Sequence, residues 1–334
     1  MNHSGVWILA EQKGGKIRTV SFELLNRGRG LADKLGVKLS AVLMADKIAE
    51  TEINELVFHG ADQVYIVDNP VFANFLAEPY QKTLSWLVEK HRPEIIIAAA
   101  TTSGRTVMPM VATNKIFAGL TADCTELAID PENRDLLQTR PAIGGNILAT
   151  IKTPEARPQM STVRPKSMKP SPRDASRKGE IIRENPTETC FSSRIKFEKF
   201  VPDDSQDMPI EDSDVIVAGG RGLKKGENFA MIRHLAELLG GGVGASRDAV
   251  DQGWIEYPHQ IGLSGKTVSP RIYIACGVSG AIQHLAGMQT SENIVAINKD
   301  PDAQIFRVAD FGVAGDLFEF VPVLLKKIEQ RKKR

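Results

Sequence analysis

The sequence predicts two α/β domains, the first Rossmann-like with an antiparallel extension, the second a doubly wound parallel sheet that presents a nucleotide-cofactor site. Three observations lead there. Short β-branched runs alternate with helical stretches from the N-terminus. Three glycine-rich turns in the last third each follow such a run. A length of 334 residues suits about two domains of ordinary size.

In order, strands are expected at residues 6–10, 38–44, 63–67 and 95–99, with crossover helices over 19–35, 49–59 and 74–91. Strands buried on both faces read as continuous apolar runs, which is the pattern of these four. After Ala118 the chain turns strand-like with little helix, near 123–129, 136–140, 146–150 and 160–163, an antiparallel extension of the first sheet. Residues 164–174, rich in proline and cations, read as a solvated loop. The acidic stretch 202–209 marks a boundary, giving domains 1–205 and 206–334. The second domain then repeats strand, glycine turn and helix at 215–222, 240–247 and 272–280. Strands at 294–297 and 305–308 and a C-terminal helix from 316 towards 331 complete it. Glycine directly after a buried strand lets backbone amides at the next helix start approach a phosphate.

Formal net charge is +1, from 42 basic and 41 acidic side chains, so no global field gathers nucleic acid or an anionic membrane. Cys124, Cys190 and Cys276 lie far apart with no CxxC pair. That spacing argues against disulfides and metal sites and for a reducing, cytoplasmic setting. No apolar run approaches the roughly 18 residues of a membrane span, and the first residues lack the pattern of an export signal. The cationic tail, Lys326, Lys327 and residues 331–334, complements the negative end of a helix. Trp86, Trp254 and Met288 are read as core or interface residues.

A GxGxxG fingerprint would need its third glycine at 225 or 247, where Lys225 and Arg247 stand. An ordinary NAD-binding turn is therefore disfavoured. The turns carry instead Arg221, Ser246, Arg247, Ser264, Ser279 and His284, cations and hydroxyls suited to a phosphate and a polar ring.

Together, Gly219-Gly220-Arg221-Gly222-Leu223, Val243-Gly244-Ala245-Ser246-Arg247, Ser279-Gly280-Ala281-Ile282-Gln283-His284 and Asn298-Lys299-Asp300-Pro301 resemble, in this order, the FAD-binding domain of electron-transfer flavoprotein alpha subunits. The resemblance spans the chain, weakly over 1–200 and strongly over 213–320. It implies a heterodimer with a beta subunit, one FAD in the C-terminal domain, and electron exchange with a dehydrogenase. It leaves room for a second FAD or an AMP on the beta subunit. Ser279 to His284 would open a helix whose free amides hold the FAD pyrophosphate, with His284 itself a proton donor near the flavin pyrimidine carbonyl. Arg247 would lie by the isoalloxazine ring and raise its potential, by about 4 kcal/mol at 4 Å and an effective dielectric of 20. A cation at a helix start opposes the dipole, so a nearby anion is expected. Arg221 and Ser246 would contact the cofactor. The loop Ile261-Gly262-Leu263-Ser264 would bring a hydroxyl to flavin N5, although Leu263 and Ser264 depart from the commoner Gly-Gln-Thr-Gly. Asn298, Asp316 and Leu317 match positions at the adenosine end; Asp316 alone reads as a helix cap.

An ordinary carrier serving acyl-CoA dehydrogenases and a bifurcating form oxidising NADH both fit, and Ser264 tilts towards the latter. Ferredoxin, flavodoxin or a quinone oxidoreductase would stand at the other end of the electron path. A swing of the second domain is the family's implied mode of transfer; a cross-link between domains should slow it, and unchanged rates count against it. From other classes, a non-redox nucleotide sensor predicts a colourless protein, and an NAD-dependent dehydrogenase predicts tight NADH binding by the chain alone.

Overall fold

A computed structural model describes residues 3–114, 118–142, 147–199, 210 and 213–332. The chain divides into two compact units, 1–200 and 201–334. The boundary expected at 202–209 lies outside the described residues, as does Asn146 of the strand expected at 146–150.

The first unit begins with β1 (Val6–Ala10), a small ribbon of β2 (Gln12–Lys13) and β3 (Lys16–Ile17), and α1 (Thr19–Leu35). It continues through β4 (Leu39–Ala45), α2 (Glu50–Phe58), β5 (Gln63–Asp68), α3 (Ala77–His91), β6 (Ile95–Ala99) and α4 (Thr102–Thr113). Then follow β7 (Leu120–Cys124), β8 (Glu126–Ile129), β9 (Leu136–Pro141), β10 (Leu148–Ile151), β11 (Gln159–Val163) and β12 (Glu180–Arg183). The main sheet runs β12-β5-β4-β1-β6-β11-β7, all parallel. Side chains of β1 alternate between two cores. Val6, Ile8 and Ala10 join Leu25, Leu31 and Ile53 of α1 and α2, while Trp7 and Leu9 join Leu84, Leu87 and Met108 of α3 and α4. Both faces are covered, hence the unbroken apolar strands.

The antiparallel part is carried by β8, β9 and β10, which pair among themselves as a three-stranded sheet. The fourth expected segment, β11, instead enters the main sheet, parallel between β6 and β7. A strand entering a sheet's interior after a long excursion has no local signature. Helix α4 was not expected: glycine, threonines and Pro109 dilute its pattern, and it is held by a Thr101 side-chain cap and by burial of Val107, Met108 and Val111. The loop 164–174 is irregular as expected, but two of its cations, Arg164 and Arg173, have carboxylate partners. Buried Arg164 makes a two-pronged pair with Asp123 at 3.1 and 2.6 Å, and Arg173 does so with Glu55 at 2.8 and 2.8 Å. Carboxylates on β7 and α2, distant in sequence, made this unreadable.

The second unit comprises β13 (Val215–Gly219), α5 (Phe229–Leu239), β14 (Gly242–Ala245), α6 (Arg247–Asp251) and β15 (Ile272–Cys276). It ends with α7 (Ile282–Leu285), β16 (Ile294–Asn298), β17 (Phe311–Ala314) and α8 (Leu317–Lys332). All pairs are parallel in the order β14-β13-β15-β16-β17. Phe229, Ile232, Leu235 and Val321 cover one face; Ile261, Met288 and Ile305 cover the other, where Tyr273 points. Residues 305–307 of the strand expected at 305–308 lie in a 3-10 turn, Gln304–Arg307, which Val308 ends. The Ile305 amide donates to the Ser279 carbonyl at 3.1 Å, so this backbone serves the turn after β15 and not a sheet edge. The edge is β17, missed because its residues are largely exposed.

Candidate cofactor site

The order β14-β13-β15-β16-β17 is 2-1-3-4-5 within the unit, so the connections leave β13 and β15 in opposite directions. Ligands of doubly wound sheets settle at the carboxyl ends of such a strand pair. Here the two turns meet backbone to backbone. The Gly220 amide donates to the Cys276 carbonyl and the Gly222 amide to the Gly277 carbonyl, both at 3.0 Å. A Cβ on Gly220 would lie 2.4 Å from the Gly277 oxygen, and one on Gly222 2.6 Å from the Gly277 Cα. Gly277 itself has φ +65°, a conformation open to glycine at little cost.

Beyond Gly277 the amides of Ser279, Gly280, Ala281, Ile282 and Gln283 donate to no acceptor among the described residues. Their side chains are exposed apart from the glycine. Helix α7 is a single turn capped at Ala281 without a side-chain bond. The expected contribution of a helix dipole is therefore corrected: too few peptides align to build one. What remains is a run of unbonded amides in the turn and at the start of α7, which suits an anion through direct donation.

His284 follows this run and is buried. Its Nε2 lies 2.9 Å from the hydroxyl of fully buried Tyr273, and its Nδ1 is buried without a hydrogen-bond partner. Tyr273 has no other acceptor for its proton among the described residues, so it donates to Nε2 and the imidazole proton sits on Nδ1. Burial pushes His284 down to about 4, with the nearby Ile261 backbone opposing part of the effect. The ring is thus neutral at neutral pH, its Nδ1 buried beside the Ile261 backbone without a well-formed hydrogen bond. Neither Tyr273 nor its role was expected; inside the apolar strand β15 it reads as core.

The loop 261–264 is anchored where the Leu263 amide donates to the Gln283 carbonyl at 2.8 Å, bringing it against α7. Leu263 is 69% exposed and Ile282 56%, an apolar rim beside the free amides. Ser264 is exposed, and its hydroxyl accepts from Gln260. Gly262 has φ +146°, and a Cβ there would lie 2.8 Å from the Gln283 oxygen.

Two arginines stand at the ends of β13 and β14, both exposed and both tethered by α6. Arg221 pairs with Asp248 and Arg247 with Asp251, each at 3.2 Å. Asp251 is the anion expected beside Arg247. These pairs are solvated, so the interaction of about 4 kcal/mol expected for Arg247 shrinks towards the 0–1 kcal/mol of surface pairs until something excludes water. Ser246 caps α6 through the Ala249 amide at 3.4 Å. Asn298 donates to the Val278 carbonyl at 2.9 Å and accepts from the Asp300 amide at 3.0 Å. Asp316 receives the Phe318 amide at 2.9 Å ahead of α8, and Leu317 is buried. Cys276 ends β15 beneath the site, but burial pushes its thiol up to about 12, which leaves it inert.

A switch point with unbonded amides, a buried imidazole Nδ1 without a well-formed hydrogen bond and an apolar rim defines a site for an anionic cofactor that carries a polar ring. Two family models match the chain: the electron transfer flavoprotein domain over residues 6–189 and the electron transfer flavoprotein FAD-binding domain over 209–289. The chain is 49% identical over 331 residues to electron transfer flavoprotein subunit alpha of Thermoanaerobacterium thermosaccharolyticum, covering 99% of each. It is 45% identical to the same subunit of Megasphaera elsdenii, covering 99% of this chain and 98% of that one. With protein FixB of Azotobacter vinelandii it shares 44% identity, covering 98% and 91%. The chain belongs to the electron transfer flavoprotein alpha-subunit family. It acts in electron transfer, and its C-terminal domain is a flavin-binding domain. Among the described residues no helix is long and apolar enough to cross a membrane.

Proposed function

We propose that this chain holds one FAD in its C-terminal domain, residues 206–334, and docks on a beta subunit through residues 1–205. In this reading it passes electrons between a flavin dehydrogenase of the acyl-CoA dehydrogenase type and a second redox partner. The observation that carries the reading is the run of unbonded amides from Ser279 to Gln283 at the switch point. They would hold the pyrophosphate. Arg221 and Ser246 would hold the cofactor beside them, and Asn298, Asp316 and Leu317 its adenosine end. His284 would donate from Nδ1 to a flavin carbonyl, neutral and pre-oriented by Tyr273. Such a donor stabilises charge arriving on the ring without adding a full charge of its own. Arg247 would leave Asp251 or carry it along as the ring covers both. When bound, FAD supplies the electron-accepting isoalloxazine ring. Three buried, unpaired cysteines suit work in a reducing compartment.

A bifurcating second reading draws on Ser264 in the Gly-Leu-Ser-Gly loop, with a second FAD on the beta subunit oxidising NADH. Flavin content per heterodimer, with the response to NADH, tests both. One FAD without bleaching supports the ordinary carrier, and two with bleaching the bifurcating form. A colourless complex removes both readings.

A further inference from the structure

The turn at the mouth of the site is tied down from several sides. Leu263 and Ser264 form its tip, closed by the Gly265 amide on the Gly262 carbonyl at 3.1 Å and the Lys266 amide on the Gln260 carbonyl at 2.7 Å. Two side chains converge on Ser264. Gln260 Nε2 donates to its hydroxyl at 3.1 Å, and the Tyr257 hydroxyl donates to its carbonyl at 2.6 Å. Gln260 is 3% exposed, and it passes so near the turn that a Cβ on Gly265 would lie 2.9 Å from its Cγ.

A hydroxyl has one proton and two lone pairs. An amide nitrogen only donates, so Gln260 fills one lone pair and turns the proton away from itself. No described residue accepts that proton, and Ser264 is exposed. We propose that Gln260, with Tyr257 fixing the backbone, is a positioning residue that makes Ser264 a one-way hydrogen-bond donor to an acceptor atom of the cofactor. The proposal rests on the flavin reading, in which that atom is a ring nitrogen with an in-plane lone pair. A donor held there stabilises the charge that the first electron brings to the ring, while that nitrogen still has its lone pair; a hydroxyl free to rotate would give less of this preference.

The test is redox titration of the flavin in the chain purified with its beta subunit, comparing Gln260→Glu, Ser264→Ala and the double variant. Glutamate keeps the size but draws the Ser264 proton inwards. Each single variant is expected to lower the midpoint potential of the first one-electron step, shifting that equilibrium by about two- to tenfold, the worth of one neutral hydrogen bond. The double variant should fall no further than Ser264→Ala. If Gln260→Glu shifts the potential equally with and without the Ser264 hydroxyl, its new charge is acting and the proposal is overturned. An unmoved potential in flavin-loaded Gln260→Glu overturns it too. Should the glutamate prevent folding, Gln260→Met removes the donor without charge and is judged by the same potential. A wild-type complex without flavin sinks the underlying reading and this proposal with it, whereas bound flavin with an unmoved potential sinks this proposal alone.

Discussion

The residue that ties stability to the site is His284. Its pKa is about 4 in the folded chain against about 6.5 when unfolded. Above pH 6.5 both states are neutral and its contribution is fully present. As pH falls from 6.5 to 4 the unfolded state takes the proton first, so stability is lost, by an order of about 3 kcal/mol. Denaturant unfolding at pH 7.5 and 4.5 should therefore show a smaller acid loss in His284→Gln than in wild type. Equal losses would mean that the imidazole is not buried and neutral. The sequence motif named His284, but its neutral state comes from Tyr273 and the core around it, which no local pattern announces. Likewise Arg221 and Arg247 were legible as cations, whereas their partners Asp248 and Asp251 were assigned only once α6 was placed.

At the level of elements, the turns after β13 and β15 are the most constrained pieces of the chain. Gly277→Ala meets two faults, a left-handed φ and a Cβ 2.8 Å from Gly222 Cα and 2.9 Å from Leu317 Cδ2. Its expected cost is about 2–4 kcal/mol, with loss of bound flavin. Gly240, the cap ending α5, shares φ +65° but has nothing within 4 Å. Gly240→Ala should cost only about 1 kcal/mol and leave flavin content intact. Equal costs in denaturant titrations would show that backbone conformation, not the contact of the two turns, sets the requirement. Strands β1, β5 and β6 were readable from their continuous apolar runs, and helix α1 from its helical pattern. The exposed edge strands β12 and β17 were not, because a half-exposed strand of four residues resembles a loop.

At the scale of the molecule, each unit has its own sheet with a core on either face, so each should unfold as its own cooperative step. The FAD-binding family domain lies in the second. Calorimetry with FAD at a hundredfold excess over its Kd should raise one transition, by about 2.7 kcal/mol of stabilisation, and leave the other in place. A shift of both transitions together would mean that the units unfold as one.

By itself the sequence determined the α/β class, the central strands, the glycine turns and the motifs of an electron-transfer flavoprotein alpha subunit. Those features are local: burial on both strand faces, glycine where backbone crowds, and short runs of matching residues. Only the tertiary structure decided that β11 lies inside the main sheet and that Arg164 and Arg173 of the 164–174 loop meet carboxylates. It alone decided that α7 is one turn, that the amides of Ser279 to Gln283 go unbonded, and that Tyr273 and Gln260 orient His284 and Ser264. Each depends on groups far apart in the chain or on backbone conformation that many side chains allow, and chain folding alone brings such groups within hydrogen-bonding distance.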